Sequence, residues 1–395
     1  MVDLTDHRCT FAFGSAADFC RNLGAGPVYL YLVLIMSEAN LTCVLCGTSA
    51  FEVRHTFEHF YIPSMGSWLQ GNPKDQPTPV HVVECRSCHL MSLYPLPSRE
   101  LIEQLHNNPH YGFDRGDEVG SLLFAHDALR SVHEVRRMGG NLLDIGCSKG
   151  MFMAVARQAG WETLGLDFNA DAVKFAQDVW GLNALVGNAE DFGFGDRKFD
   201  LITMWDVIEH LPNPVAFLQT LRGMLKPKGL LAFETPNAAS LYAKLRGRSW
   251  GWGPHHLYYF TPETTEKMLT QLGFVVRSME TPNFNLLSKE GLFRMGLTRD
   301  LWVNTLGQSI RVALYRHRHQ RWAQDILHYR QRRKRIPKHS FHTQVDPQQR
   351  RRELEPVLKA DLPPLSVTQM FNEPLNALAQ RWCLGDQIRV VAEVL

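Results

Sequence analysis

No stretch of this chain is apolar over the roughly 18–20 consecutive residues that a bilayer span requires. The best candidate, Pro27–Met36, runs ten residues, and the segment before it mixes acids with Arg8 and Arg21 rather than forming the basic start of a signal peptide. An excess of one charge is also missing. Lys and Arg number 42 against 40 Asp and Glu, a net charge of +2 that does not argue for nucleic acid as a partner of the whole chain. Internal repeats are absent, and one basic run is the sole compositionally biased tract. Two glycine-loop signatures are missing as well. Gly146 and Gly150 are separated by Cys-Ser-Lys, so G-x-G-x-x-G is not present, and Lys149 is followed by Gly150 rather than the Ser or Thr of a P-loop.

A chain of 395 residues can hold two compact units, or one large domain with additions, and an apolar share of 45% is ample for a core. Residues 1–40 read as an upstream extension, and translation is expected to begin at Met36, just before the first cysteine pair.

The most informative segment is Leu142-Leu-Asp144-Ile-Gly146-Cys-Ser-Lys-Gly150. It reads as a buried strand ending in an acid, a glycine turn, and the start of a helix from Met151 to Gln158. Such a unit brings bare backbone close to a nucleotide-type ligand at the carboxyl edge of a parallel sheet, although glycine turns also close ordinary βα units. The next strand, Thr163–Asp167, ends in a carboxylate about 20 residues past the first glycine, where a ribose diol is held. Without an anion-binding nest, the pattern points to a nucleoside bearing an amino-acid tail.

Four of the eight cysteines form two C-x-x-C pairs, Cys43/Cys46 and Cys85/Cys88. Two thiolates on a tight turn supply half a tetrahedron each, so the pairs read as a structural zinc site. The alternative is two redox or chance motifs. The gap between the pairs is long for a zinc ribbon and calls for a small β-rich insert. Gly47 follows Cys46 as such a turn prefers. His89, in the equivalent place after Cys88, is a substitute ligand in principle, but four cysteines already close the shell. A fragment of about 60 residues buries little core, so metal binding would supply folding energy. Thiolate usage without a secretory signal indicates a reducing cytoplasm.

Short strands are expected at Val80–Glu84 and Leu90–Tyr94, a helix from Leu96-Pro97-Ser98 to about His106, a loop at Tyr111–Phe113, and a helix over Ser121–Arg137. From Asn141 the pattern is βαβαβ. Further strands follow at Leu201–Met204, Leu230–Glu234 and Phe274–Glu280, with helices at Pro214–Leu225 and Pro262–Leu272. This alternation predicts a doubly wound parallel sheet. The stretch Arg311–Arg352 carries thirteen basic residues against Asp325 and Asp346. It reads as a solvated charged face, with an anionic membrane surface or an anionic substrate as the alternatives.

From about Gly120 to Glu280 the chain resembles the class I S-adenosylmethionine-dependent methyltransferases. Asp144–Gly150 is similar to their first motif, with Ser148 in place of the middle glycine. Asp167 matches the ribose-binding acid. Gly187–Asp191 matches the segment along the adenine, with Asn188 where aspartate is commoner; its amide oxygen can accept from an adenine amino group. Phe199–Leu211 resembles the fourth strand and the loop after it. The resemblance therefore implies S-adenosylmethionine as cofactor, bound by Asp144, Gly146, Gly150, Asp167, Asn188 and Asp206. Methyltransferases of this class end their sheet in an antiparallel hairpin, so Asp386–Leu395 is expected to be the last strand. The implied fold is α/β: a doubly wound, Rossmann-like, seven-stranded sheet, with a zinc-ribbon-like N-terminal module and a helical insertion before the last strand. The domains become 1–40, an extension; 41–97, the zinc module held by Cys43, Cys46, Cys85 and Cys88; 98–281 with 386–395, the methyltransferase core; and 282–385, the basic insertion.

Two histidine sites are candidate bases for an alcohol acceptor. His210 follows the fourth strand in Asp206-Val-Ile-Glu209-His210, which resembles the matching loop of ubiquinone-biosynthesis O-methyltransferases. His256 lies in Trp250–Phe260, a loop that can cover the same cleft; the plain alternative is that these histidines cap and pack. A four-cysteine module joined to such a core resembles deoxysugar C-methyltransferases. Of their Tyr-x-Glu-His set, however, Gly253-Pro254-His255-His256 retains His256 alone, which favours O-methylation. The expected acceptor is a hydroxyl of a sugar, glycolipid or similar small metabolite. An RNA methyltransferase is the first alternative, disfavoured because no Asn-Pro-Pro-Tyr-like base clamp follows the fourth strand; a non-catalytic cofactor-sensing scaffold is the second. Nucleic acid is thus not the expected partner. The expected location is the cytoplasm, with peripheral contact at the inner membrane face an option opened by the basic insertion.

Overall fold

The computed structural model describes residues 41–57, 80–97, 118–137, 139–246, 256–282, 346–359, 383 and 385–394. The expectations for residues 1–40, the helix after Leu96, Tyr111–Phe113, Trp250–His255 and most of 282–385 lie outside these residues. Among the described residues no helix is long and apolar enough to cross a membrane.

The main sheet grows from βα units whose ends are written locally. Strand β4 (Gly140–Ile145) buries its last four residues, the pattern of a strand covered on both faces. It leads through the glycine turn into α2 (Met151–Gln158); α1 (Glu118–Val135) precedes it. Strand β5 (Trp161–Asp167) feeds α3 (Ala170–Trp180). The Asn169 side chain accepts from the N–H groups of Asp171 and Ala172, and Gly181 closes the helix in the left-handed conformation. Strands β6 (Asn183–Val186) and β7 (Phe199–Trp205) follow. Helix α4 (Pro214–Met224) is capped by Asn213 and carries proline in its first turn. Strand β8 (Leu225–Pro236) is longer than the pattern predicts: it begins at Leu225, which pairs with Phe199 ahead of a register shift, so the Lys-Pro-Lys-Gly turn lies within its span. Then come α5 (Leu241–Arg246), β9 (Tyr258–Tyr259), α6 (Pro262–Gln271), β10 (Phe274–Glu280), α7 (Pro347–Leu358) and β11 (Gln387–Val394).

Seven strands run in the order β10-β11-β8-β7-β4-β5-β6. The pairs from β8 to β6 are parallel, while β11 is antiparallel to both neighbours. The strand expected at Asp386–Leu395 is present, antiparallel, and lies inside the sheet between β10 and β8. Arg389 pins it there: its guanidinium, almost fully buried, donates to Glu234 on β8 at 2.6 Å and to Asp127 on α1 at 2.8 Å. The strand order reverses between β4 and β7, so the ligand crevice of this architecture opens at the carboxyl ends of those two strands.

A second sheet lies beside the first. Strands β1 (Phe51–Phe57), β2 (Val80–Cys85) and β3 (Met91–Tyr94) form an antiparallel meander, the β-rich insert that the cysteine spacing requires. Its fourth strand is β9, contributed by the methyltransferase part of the chain. The boundary at residue 97 is therefore crossed by a shared sheet.

Candidate functional site

At the end of β4 the chain turns sharply beneath β5: the N–H groups of Gly146 and Cys147 both donate to the Leu166 carbonyl, at 2.8 and 3.2 Å. Gly146 has φ 71°, and a Cβ there would lie 2.4 Å from Val207 Cγ2. Its bareness lets the first glycine turn and the loop after β7 meet at the switch point. Ser148, in the place of the family's middle glycine, also adopts a left-handed φ, 47°. Its N–H donates to Asp167 Oδ2 at 2.8 Å, while Asn169 N–H donates to Oδ1 at 2.8 Å. Each Asp167 oxygen is thus oriented by one backbone donor and keeps further acceptor capacity, as a carboxylate offers about four lone-pair sites. Burial raises the Asp167 pKa, and these two donors oppose the rise.

The remaining expected cofactor residues divide. Asp144 is buried and accepts from Thr203 Oγ1 at 2.7 Å; burial pushes its pKa to about 7. It braces β4 against β7. A Cβ on Gly150 would meet Leu182 and Ala176, so this glycine permits the close approach of α2 to α3. Asn188 Oδ1 accepts from Glu190 N–H at 3.0 Å, within its own turn. Asp206, exposed at the end of β7, has φ 53°, and its N–H donates to the Glu234 carbonyl. Such a conformation in a non-glycine residue is uncommon and concentrates at functional sites. Two residues outside the sequence expectations border this edge. Phe168 (41% exposed) directly follows Asp167, and Val186 (53% exposed) pairs with Asp167 across the strands; they are two of the three exposed large hydrophobic residues among those described.

His210 and His256 come together. The first closes a short 3-10 turn, Ile208–His210, after β7, and the second precedes β9. Their ring centroids are 4.9 Å apart, edge to face. Glu209 lies beneath them, buried. Its Oε2 accepts from Thr235 Oγ1 at 3.0 Å, and its Oε1 has no hydrogen bond among the described residues and lies 4.0 Å from His210 Nε2. Burial, reinforced by the Asp206 charge, raises the Glu209 pKa well above the carboxylate range. One ligand atom from each of Glu209, His210 and His256 lies within 4.8 Å of the others, a set that also has the donor types of a divalent-cation site.

The four paired cysteines also converge, with Sγ–Sγ separations of 3.4 Å (Cys43–Cys88) and 3.5 Å (Cys46–Cys85) and all four within 4.8 Å. Zn–S bonds of about 2.3 Å in a tetrahedron place sulfurs about 3.8 Å apart, so the donor set and spacing fit zinc. The two turns repeat one geometry. Gly47 N–H donates to Cys43 O and His89 N–H to Cys85 O, at 2.8 and 2.9 Å, with φ 74° and 64° at those residues. His89 fills the glycine-like position, and its ring faces Glu84 at 2.8 Å, away from a ligand role. Burial works to raise the Cys85 thiol, but the N–H groups of Cys88 and Ser87 and the neighbouring thiols outweigh it and bring the group to about 7.

The basic run is not uniformly solvated. Arg351 and Arg352 are exposed, but Arg350 on α7 is buried against Glu118 at 3.1 Å, and Glu118 also takes Lys149 of the glycine turn at 3.1 Å. Leu354, Val357 and Leu358 join the core beside α1 and α3. This is a correction to the reading of Arg311–Arg352 as one charged face; an amphipathic helix with a proline start docks its apolar side and takes Arg350 with it.

Residues 121–279 match the family model described as "Methyltransferase domain". The chain is 29% identical over 186 residues to a ubiquinone biosynthesis O-methyltransferase of Cereibacter sphaeroides, a match covering 44% of this chain and 74% of that protein. To the protein of the same name from Actinobacillus pleuropneumoniae it is 31% identical over 109 residues, 25% of this chain and 47% of the relative. A solved S-adenosylmethionine-dependent methyltransferase from Archaeoglobus fulgidus is 20% identical with a TM-score of 0.39, over 69% of this chain and 93% of that one. With the family match falling on the strands that build the crevice, the chain is identified as a class I S-adenosylmethionine-dependent methyltransferase.

Proposed function

We propose that the enzyme O-methylates a hydroxyl of a sugar, glycolipid or similar small metabolite, with His256 or His210 accepting the hydroxyl proton. The observation that carries this reading is the pair of imidazoles 4.9 Å apart over a buried glutamate, beside the crevice that Gly146 and Asp167 border. The similarity to ubiquinone biosynthesis O-methyltransferases supports transfer to oxygen.

In this reading Asp167 accepts from the ribose hydroxyls, and the bare Gly146 turn lets backbone approach the ligand. Phe168 and Val186 offer apolar surface to the adenine, Asn188 lies along it, and Asp206 faces the methionine end. Asp144 and Gly150 hold the loop in shape from behind. The bound sulfonium supplies an already activated methyl group. The protein's part is alignment, which can contribute about 7–11 kcal/mol, and proton removal, worth on the order of 10²–10⁴-fold. Glu209, whose burial favours its neutral form, anchors the His210 turn to β8 through the bond its Oε2 accepts from Thr235. Zinc is the ion proposed for the four cysteines. With no open position its role is structural. We read 41–97 as the zinc module, 98–281 with 386–395 as the core and 282–385 as the insertion.

Calorimetry with S-adenosylmethionine and S-adenosylhomocysteine, and transfer of labelled methyl to sugars, phenols and extracted glycolipids, test the reading. Asp167→Asn should weaken cofactor binding by about 1.5–3 kcal/mol, roughly ten- to a hundredfold. His210→Ala and His256→Ala should leave that affinity unchanged, and loss of one should lower the transfer rate by about 10²–10⁴-fold. Full rates in both variants would remove the histidine base. Label appearing on carbon or nitrogen would overturn O-methylation.

A further inference from the structure

The cysteine centre and the histidine pair lie in different parts of the sequence, yet one residue joins them. Leu257, directly after His256, accepts from Leu93 N–H of β3 at 2.9 Å and donates to the Glu209 carbonyl at 2.8 Å. Beyond it, β3 pairs with β9 through Met91–Tyr259 and Ser92–Tyr258. The Tyr258 hydroxyl then donates to the Pro212 carbonyl at 3.0 Å, tying β9 to the loop that carries His210. Strand β3 starts three residues after Cys88, so its position is set by the second cysteine turn. The packing is continuous as well. Cys43, Cys85 and Cys88 belong to one buried cluster with Leu93, Leu257, Tyr258, Ile208 and Leu211. A two-residue strand such as β9 has almost no stability of its own. It is held by β3 on one side and the turn after β7 on the other.

We propose that the four-cysteine centre is a positioning device for the acceptor wall: with its metal bound it fixes β3, β3 fixes Leu257 and β9, and these set His256 against His210. Cys43, Cys46, Cys85, Cys88, Leu93 and Leu257 are positioning residues in this scheme; none of them touches a reacting atom. The scheme rests on the reading of the cysteines as a zinc site and goes beyond it. A metal that merely helped the N-terminal module to fold would leave the methyltransferase half indifferent to its loss. The cofactor side, built on β4, β5 and β6, shares the buried cluster through Leu143, Ile145, Leu164 and Leu166 but has none of these hydrogen bonds or strand pairings to β3 and β9, so the two halves of the crevice respond differently. Loss of zinc, or oxidation of the thiolates, disables methyl transfer while cofactor binding persists.

Hydrogen exchange followed by mass spectrometry on the full chain tests this without knowledge of the acceptor. The zinc content of the purified protein is measured first. The zinc-loaded protein, the chelator-stripped protein, the stripped protein with zinc restored, and the Cys46→Ser variant are then compared. On stripping, exchange in 257–260 and 207–212 should rise at least about tenfold together with 80–94, and restored zinc should reverse it. Peptides covering 142–147 and 163–167 should not change, and S-adenosylhomocysteine affinity should hold within about twofold by calorimetry. Cys46→Ser should reproduce the stripped pattern. Loosening confined to 41–57 and 80–94, with 257–260 unchanged, overturns the proposal. Equal loosening of the cofactor peptides overturns it too, since the centre would then support the whole fold. A protein that purifies without zinc and takes none up refutes the metal reading itself, a result distinct from either.

Discussion

Gly146→Ala should destabilise the protein by about 2–5 kcal/mol, and the structure says where each part of that loss arises. A left-handed φ, 71° here, costs a residue with a Cβ roughly 1–2 kcal/mol. The new methyl would also stand 2.4 Å from Val207 Cγ2, well inside contact distance, and overpacking of this kind costs about 1–3 kcal/mol. The two parts can be separated. Val207→Ala removes the atom in the way but leaves the backbone strain. The double variant should therefore be less destabilised than the sum of the two single ones, by about 1–3 kcal/mol of coupling. Urea unfolding monitored by tryptophan fluorescence, with all four proteins at one pH, gives the numbers, provided the slopes agree. If Gly146→Ala unfolds at the parent midpoint, or if the two changes are additive, then the loop after β7 does not press on this turn. The crevice would then be wider than the structure has it. Calorimetry on the same proteins should show cofactor affinity falling with Gly146→Ala and partly recovering in the double variant.

Asp144 carries a pH signature. Its pKa rises from 3.8 to about 7 on folding, so between those values the folded state holds more protons than the unfolded one, and stability falls as pH rises through that window. At about 1.4 kcal/mol per unit the fall is up to about 4 kcal/mol, and Asp144→Asn should flatten it; equal slopes in urea midpoints from acid to neutral pH would refute the burial argument. Ser148→Gly should stabilise by up to about 1 kcal/mol by relieving a left-handed serine, and a lower thermal midpoint would count against that strain. Arg389→Met leaves Glu234 and Asp127 without their cation, and should cost about 3–5 kcal/mol in chemical denaturation, whereas a loss under 1 kcal/mol would mean that β11 is held by its ladder alone.

What the sequence determined by itself is local. The four buried residues before Gly146, Pro214 and Pro262 at helix starts and the two C-x-x-C turns each depend on a few adjacent residues, and each lies where the pattern puts it. Resemblance to a family extended that reach to the last strand, whose partners lie more than a hundred residues away. The tertiary structure decided the rest, because it alone sets distances between segments remote in sequence. Nothing in Tyr258-Tyr259 marks a two-residue strand, since it exists through its pairing with Met91 and Ser92. The Glu209 carboxylate reads as an ordinary loop acid until Thr235 and two histidines close around it. Arg350 looks like one more solvated arginine, and becomes a buried ion-pair partner only when Glu118, 232 residues earlier, comes against it. Periodicity and turn chemistry report what a segment prefers, whereas the crevice and its walls are made where segments with no mutual signal in sequence are brought into contact.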